Sequence, residues 1–184
     1  AGFDLVLVET VGVGQSETTV ADMVDVFVVL MLAGAGDQLQ GIKRGILELA
    51  DLIAVNKADG DNLPKARVAA ADYRQAVRLM SAPGSTWVPP VLTCSAVDDT
   101  GLDEIWSQIQ RFWDIGRADG SFDRRRSDQQ TRWMWSMIGD RLLDRLRECP
   151  AVRALLPDLT EQVRSGHVLP PAAADRLLAA FAEA

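Results

Sequence analysis

The sequence predicts an α/β fold, a parallel sheet covered by helices on both faces, continued by an all-helical extension, and three observations carry that prediction. From Phe3 to about Gly116, short runs rich in Val, Leu and Ile alternate with stretches of helical period. Those runs lack a polar face, which is how strands buried on both sides of a parallel sheet read. After Gly116 the strand-like runs stop and the charge changes. Residues 1–116 hold 16 acidic and 8 basic side chains, whereas 117–184 hold 10 and 11, every base there an arginine.

Taken in order, FDLVLVE (3–9) reads as the first strand, ending on Glu9 before the small-residue turns of TVGVGQSE (10–17). VADMV (20–24) has helical character, DVFVVLML (25–32) is a second strand, IKRGILELA (42–50) a helix and DLIAVN (51–56) a third strand. A long helix from Leu63 to Met80 and the strand PVLTCS (90–95) follow. Leu102, Ile105, Trp106, Ile109, Phe112 and Trp113 then repeat at helical spacing, with Thr100 as the expected N-cap. ADGSFD (118–123) reads as a linker between a domain over 1–116 and a helical extension over 117–184, in which Pro150, Pro157 and Pro170-Pro171 are expected to break helices. Within the extension, Trp135, Ile138, Leu142 and Leu146 form one apolar stripe, while Trp133 and Met137 project from roughly the opposite side. Two apolar faces on one helix require two partners, either a second subunit or another helix of the same chain.

Composition excludes several function classes. A net charge of −7 and a pI near 4.7 are the wrong sign for a nucleic-acid binder held by phosphate contacts. Cys94 and Cys149 form neither a CxxC pair nor a cluster with histidine, so neither a zinc site nor a disulfide framework is indicated. No apolar run reaches membrane-spanning length, and the start of the chain does not read as a signal peptide. The expectation is a cytoplasmic protein with no membrane partner. His167, the single histidine, reads as a turn residue, and Arg124, Arg125 and Arg126 as a solvated helix start or a partner-facing patch.

The chemistry concentrates at strand ends. NKAD (56–59) follows the strand DLIAV directly. A carboxylate at Asp59 can accept two hydrogen bonds from the N1–H and exocyclic amine of guanine, a donor pair that adenine does not offer. Asn56 is placed to brace the loop, and the aliphatic stem of Lys57 to lie along the base plane. TCSA (93–96) ends the next strand, where the second loop of such a site belongs, and the Ala96 N–H there can donate to guanine O6. Ser95, Ala96 and Val97 make up that second loop. In the opening stretch, Glu9 ends a strand as a carboxylate able to approach nucleotide-bound Mg²⁺, and Gly12 admits a backbone N–H close to a γ-phosphate. With Gly14 the stretch reads as a phosphate-sensing switch, and Gln15 is the candidate to orient an attacking water.

ETVGVGQSE, GAGDQLQGIK (34–43), NKADGDN (56–62), PPVLTCSA (89–96) and TRWMW (131–135) together resemble the MeaB/ArgK-type GTPases, chaperones associated with methylmalonyl-CoA mutase. The resemblance covers nearly the whole chain. It implies a P-loop GTPase fold of the SIMIBI class, binding of GTP and GDP, and hydrolysis with Mg²⁺. It also implies homodimerisation through the C-terminal helices and a partner that is an adenosylcobalamin-dependent acyl-CoA mutase, whose cofactor the chaperone helps load and protect. By the same resemblance Asp37, Gln38 and Lys43 are coupling residues of a further switch, although Gln38 stands where an acid is expected. The family's phosphate-cradling GxxxxGK[ST] occurs nowhere in these 184 residues. The expectation is therefore the C-terminal part of a longer protein, with the central strand that leads into that loop missing from its sheet. Two other readings remain open at this point: a non-catalytic dimerisation and docking module, and a nickel-type metallochaperone GTPase, which calls for clustered Cys and His.

Overall fold

The computed structural model describes residues 2–10, 16–32 and 44–184. In chain order they contain α1 (Ser16–Ala21), β1 (Val28–Leu32), α2 (Arg44–Leu49), β2 (Leu52–Asn56), α3 (Leu63–Met80), β3 (Val91–Thr93), α4 (Leu102–Ala118), α5 (Ser121–Glu148), α6 (Pro150–Arg164) and α7 (Pro170–Ala182). A single 3-10 turn, Gly60–Asn62, leads into α3. The chain divides into two compact units, Ala1–Gln129 and Gln130–Ala184. The division falls inside α5, beyond the change of composition after Gly116.

In the first unit the strands form a parallel sheet in the order β1-β2-β3, with Val28 opposite Leu52 and Ile53 opposite Val91. The middle strand, β2, alternates its side chains between two buried faces. Ile53 and Val55 pack with Val29, Val91 and the α3 residues Ala66, Ala70, Tyr73 and Val77. Those four recur at i, i+4, i+7 and i+11, one stripe of the helix, and the two alanines let its backbone lie close to the sheet. Leu52, Ala54 and Cys94 pack on the other face against Ile105 and Ile109 of α4. Helices on both faces of a parallel sheet are thus what the doubly apolar strand DLIAVN produces.

The segment 3–9, predicted as the first strand, takes no part in the sheet. Phe3 and Leu7 are 78% and 85% exposed. Strand β1 pairs with β2 alone among the described residues, and Leu30 and Leu32 of β1 are exposed. An apolar run suits a doubly buried strand only where a neighbour supplies hydrogen bonds along its edge, and the run itself cannot show that a neighbour is there.

The start of β2 is a joint. Asp51 accepts from the Phe27 N–H at 2.8 Å through Oδ2, its own N–H donates to Phe27 O at 2.9 Å, and its carbonyl accepts from Trp87 Nε1 at 2.9 Å. Arg125, near the start of α5, completes it with an ion pair to the Asp51 carboxylate at 2.9 Å. Arg126 grips Asp25 with two hydrogen bonds of 2.7 Å, and Gln129 Nε2 donates to Val24 O at 2.9 Å and Ala21 O at 3.3 Å. Phe122 is buried and packs at a tilt of 48° against Trp113 of α4, with 4.7 Å between ring centroids. These contacts explain why the first unit runs to Gln129.

In the second unit Pro150 and Pro170 each open a helix, where the missing N–H is not needed. Pro157, expected to break one, lies inside α6. The helix continues through it because α6 packs along α7, with Val152, Leu159 and Ala173 buried. That packing outweighs the loss of one backbone hydrogen bond at an exposed turn. On α5, Trp133 and Trp135 are 66% and 65% exposed, and Leu142 and Leu143 are also exposed.

The joint at Asp51 yields a stability prediction. Asp51→Ala removes a mostly buried carboxylate and leaves Arg125 and the Phe27 N–H unsatisfied, so urea denaturation should show a loss of roughly 2–3 kcal/mol. Arg126→Ala, at a more exposed pair, should cost no more than about 1 kcal/mol. Equal losses for the two variants would remove Asp51 from its place as the joint.

Candidate functional site

Parallel strands deliver their loops to one edge of the sheet, and here β2 ends at Asn56 and β3 at Thr93. Two backbone hydrogen bonds continue the pairing beyond the strands: Cys94 N–H to Val55 O and Ala58 N–H to Cys94 O, both 2.9 Å. They set Asn56, Lys57 and Asp59 beside Ser95, Ala96 and Val97, the six residues that the sequence nominates from two separate motifs.

The first loop turns sharply. Lys57 has φ +59, a left-handed conformation that a side chain with a Cβ adopts at a cost. Hydrogen bonds hold it there: its N–H donates to Asn56 Oδ1 at 2.7 Å, and its carbonyl accepts from Asn62 Nδ2 at 2.6 Å. Asn56 Oδ1 also accepts from Cys94 Sγ at 3.8 Å. Burial pushes the Cys94 thiol up from its ordinary pKa, so at neutral pH it keeps its proton and remains a donor.

The second loop is organised by one hydroxyl. Ser95 is fully buried, and its Oγ accepts from Val97 N–H at 3.2 Å and Asp98 N–H at 3.1 Å. Both lone pairs are then in use, so the single hydroxyl proton is directed at Asp59 Oδ2, 2.5 Å away. This is a short, charge-assisted bond between the two loops. It leaves Oδ1 and part of the capacity of Oδ2 on a half-buried carboxylate. Ala96 and Val97 are exposed, and the Ala96 N–H has no partner among the described residues.

Thr100 does not cap α4 as the sequence predicts. Its backbone pairs with Ser95 in both directions, at 2.9 and 3.1 Å, and Gly101 takes the cap position with φ +75. A Cβ on Gly101 would meet Thr93 O at 2.3 Å, so the turn back from the second loop needs glycine for space as well as for conformation. Asp99 is the other left-handed residue with a side chain, at φ +52. Among the described residues, both such positions lie in these two loops. Asn62, Cys94 and Gly101 are supports that motif reading passed over; only the glycine, just before an apolar helical run, carried a visible signal.

Glu9 stands exposed at the end of the segment 2–10 and makes no hydrogen bond or ion pair with the two loops. Gly12, Gly14, Gln15, Asp37, Gln38 and Lys43 lie outside the described residues. No group of three or more His, Cys, Asp or Glu side chains is arranged to hold a metal ion among the described residues.

Ser95→Ala should cost about 1–3 kcal/mol in chemical denaturation, because it removes three hydrogen bonds centred on a buried atom. It should also speed exchange of the Val97 and Asp98 amides, measured by NMR. Unchanged exchange at both amides would mean that the hydroxyl does not organise the loop.

Comparison with known proteins agrees with the motifs. Residues 1–151 match the family model described as methylmalonyl Co-A mutase-associated GTPase MeaB. A probable GTPase of Mycobacterium tuberculosis is 51% identical over 178 residues, covering 97% of this chain and 53% of that protein. The mouse protein named methylmalonic aciduria type A homolog, mitochondrial, is 43% identical over 180 residues, covering 98% of this chain and 43% of its own length. A crystal structure of a LAO/AO transport system kinase superposes with a TM-score of 0.78 at 37% identity, over all of this chain and 58% of that one. The chain thus spans about half the length of the relatives it matches. With its fold, its paired loops and more than half of its length matched to one family model, the chain belongs to the MeaB family of methylmalonyl-CoA mutase-associated GTPases.

Proposed function

We propose that the protein in its natural full length binds GTP and GDP through the Asn56–Asp59 and Ser95–Val97 loops and hydrolyses GTP. We also propose that it serves as the chaperone of an adenosylcobalamin-dependent acyl-CoA mutase of the methylmalonyl-CoA mutase type, assisting the loading and protection of that enzyme's cofactor. The observation that carries the nucleotide reading is the bond from Ser95 Oγ to Asp59 Oδ2. It fixes a carboxylate with acceptor capacity to spare, on a loop beside a second loop whose Ala96 N–H has no partner among the described residues. Guanine presents the complement: two adjacent donors, N1–H and the exocyclic amine, beside the acceptor O6. In this reading Asp59 takes the two donors, the Ala96 N–H takes O6, Asn56 and Asn62 hold the strained Lys57 turn, and the Lys57 stem covers the base plane.

The donor set also bears on Mg²⁺. Such an ion is bound by one or two carboxylates together with substrate phosphates and water, so a lone carboxylate such as Glu9 suits it better than a protein cage would. When bound, it supplies neutralisation of phosphate charge. Gln15 as the residue that orients water, Gly12 at the phosphates, and Gly14, Asp37, Gln38 and Lys43 as switch and coupling residues complete the proposal. Support for the mutase as partner comes from the description of the family. Support for a homodimer comes from exposed apolar side chains on two sides of α5, Trp135, Leu142 and Leu143 on one and Trp133 on the other, surfaces suited to a second copy. No helix among the described residues is long and apolar enough to cross a membrane, and a cytoplasmic location is proposed with the rest.

Asp59→Asn tests the reading. An amide presents one donor and one acceptor where guanine needs two acceptors, and loss of the charge-assisted contact amounts to about 1.5–3 kcal/mol, or roughly ten- to a hundredfold in affinity. In competition titrations the full-length variant should lose GDP affinity by that factor and gain preference for xanthosine diphosphate. A guanine preference equal to that of the wild type would overturn the assignment.

A further inference from the structure

The basic residues of the stretch 1–116 are unevenly placed. Of the 8 in residues 1–116, four lie on α3: Lys65, Arg67, Arg74 and Arg78, against a single acid on that helix, Asp72. Arg67, Arg74 and Arg78 are spaced i, i+7 and i+11, so they share one exposed face. The same stretch of chain carries 16 acids, yet none forms an ion pair with Arg74 or Arg78 among the described residues. Like charges one turn apart cost an isolated helix a few tenths of a kcal/mol, and of Arg74 and Arg78 only Arg74 contributes a hydrogen bond from α3 to the sheet.

Arg74 and Arg78 border a groove. It has a volume of about 260 Å³ and is walled by Val77, Val88, Pro89 and Pro90. Arg74 is held at its rim by a hydrogen bond from Nε to Val91 O at 3.1 Å, which keeps the terminal nitrogens of the guanidinium available. Val91 begins β3, whereas Asn56 ends β2, so in a parallel sheet this groove lies at the edge opposite the two loops of the candidate nucleotide site. The volume is below the roughly 300–1,000 Å³ of pockets that enclose a small-molecule ligand, but it is ample for one side chain. Apolar walls and two guanidiniums suit a carboxylate on an aliphatic stem, taken end-on by planar forks of donors.

We propose that this groove is a docking site for an acidic segment of a partner protein, with a glutamate side chain seated between Arg74 and Arg78 and an adjoining apolar residue against Val88 and Pro89. Charge complementarity selects this occupant: the arginine face is a basic surface on a stretch of chain, 1–116, that holds twice as many acids as bases. The site is separate from the guanine reading and does not depend on it.

The probe is a short fluorescein-labelled peptide of repeated Glu-Leu, titrated into the natural full-length protein and followed by fluorescence polarisation. The expected result is saturable binding, weakened roughly tenfold or more by Arg78→Gln and by Arg74→Gln, and partly recovered with Arg78→Lys. Binding should fall as salt is raised, while GDP affinity and the thermal midpoint of Arg78→Gln stay at wild-type values. Absence of saturable binding to the wild type would overturn the proposal, as would equal binding by the two glutamine variants. Equal binding of a Lys-Leu peptide would overturn it too, and so would capture of phosphatidylserine vesicles by the same arginines in place of the peptide.

Discussion

The hydrogen bond from Ser95 to Asp59 is the point at which two motifs, far apart in the chain, become one surface. It is possible only because β2 and β3 run parallel and in register, so that Asn56 and Cys94 arrive at the same edge. Everything nearer the core serves that register. Ile53 and Val55 lock β2 against α3, Leu52 and Ala54 lock it against α4, and Asp51 ties its beginning to Phe27, Trp87 and Arg125. The polar loops are thus held by an apolar strand buried on both faces, and the left-handed conformations of Lys57 and Asp99 are maintained because the frame around them is over-determined.

Much of this arrangement was legible in the residues. DLIAVN announces a doubly buried strand because it has no polar alternation, and the long helix expected from Leu63 to Met80 is α3. NKAD and TCSA were legible as a pair because each ends a strand, and strand ends of a parallel sheet share an edge. What the sequence could not display is partnership. Phe3–Glu9 has the composition of a buried strand and lies exposed, since composition says what a segment can bury and not what is beside it. Thr100 has the side chain of a cap, but its backbone is claimed by Ser95, and Gly101 alone fits the space under Thr93 O. Pro157 shows the same limit from the other side: local propensity forecast a break, and packing between α6 and α7 overrode it.

The linker expected at 118–123 illustrates how charge and structure can part company. The composition does change after Gly116, and a tight turn at Asp119 and Gly120 follows, with Ser121 N–H donating to Asp119 Oδ1 at 2.8 Å. Yet Phe122, Arg125, Arg126 and Gln129 all belong to the first unit by their contacts. An arginine-rich helix start, which reads as solvated surface, is here drawn onto carboxylates and free carbonyls of the acidic α/β unit. The same excess of acid makes it conspicuous that Arg74 and Arg78 of α3 form no ion pair among the described residues.

The central claim is that the two loops read guanine, with the Ala96 N–H as the donor to O6. Hydrogen exchange at that amide, followed residue by residue in the full-length protein, tests it most directly, because the amide is exposed and has no partner among the described residues. Saturating GDP should slow exchange at Ala96 well beyond any change produced by ADP at the same concentration. Equal slowing by the two nucleotides, or exchange at Ala96 unaltered by GDP that is demonstrably bound, would contradict the account.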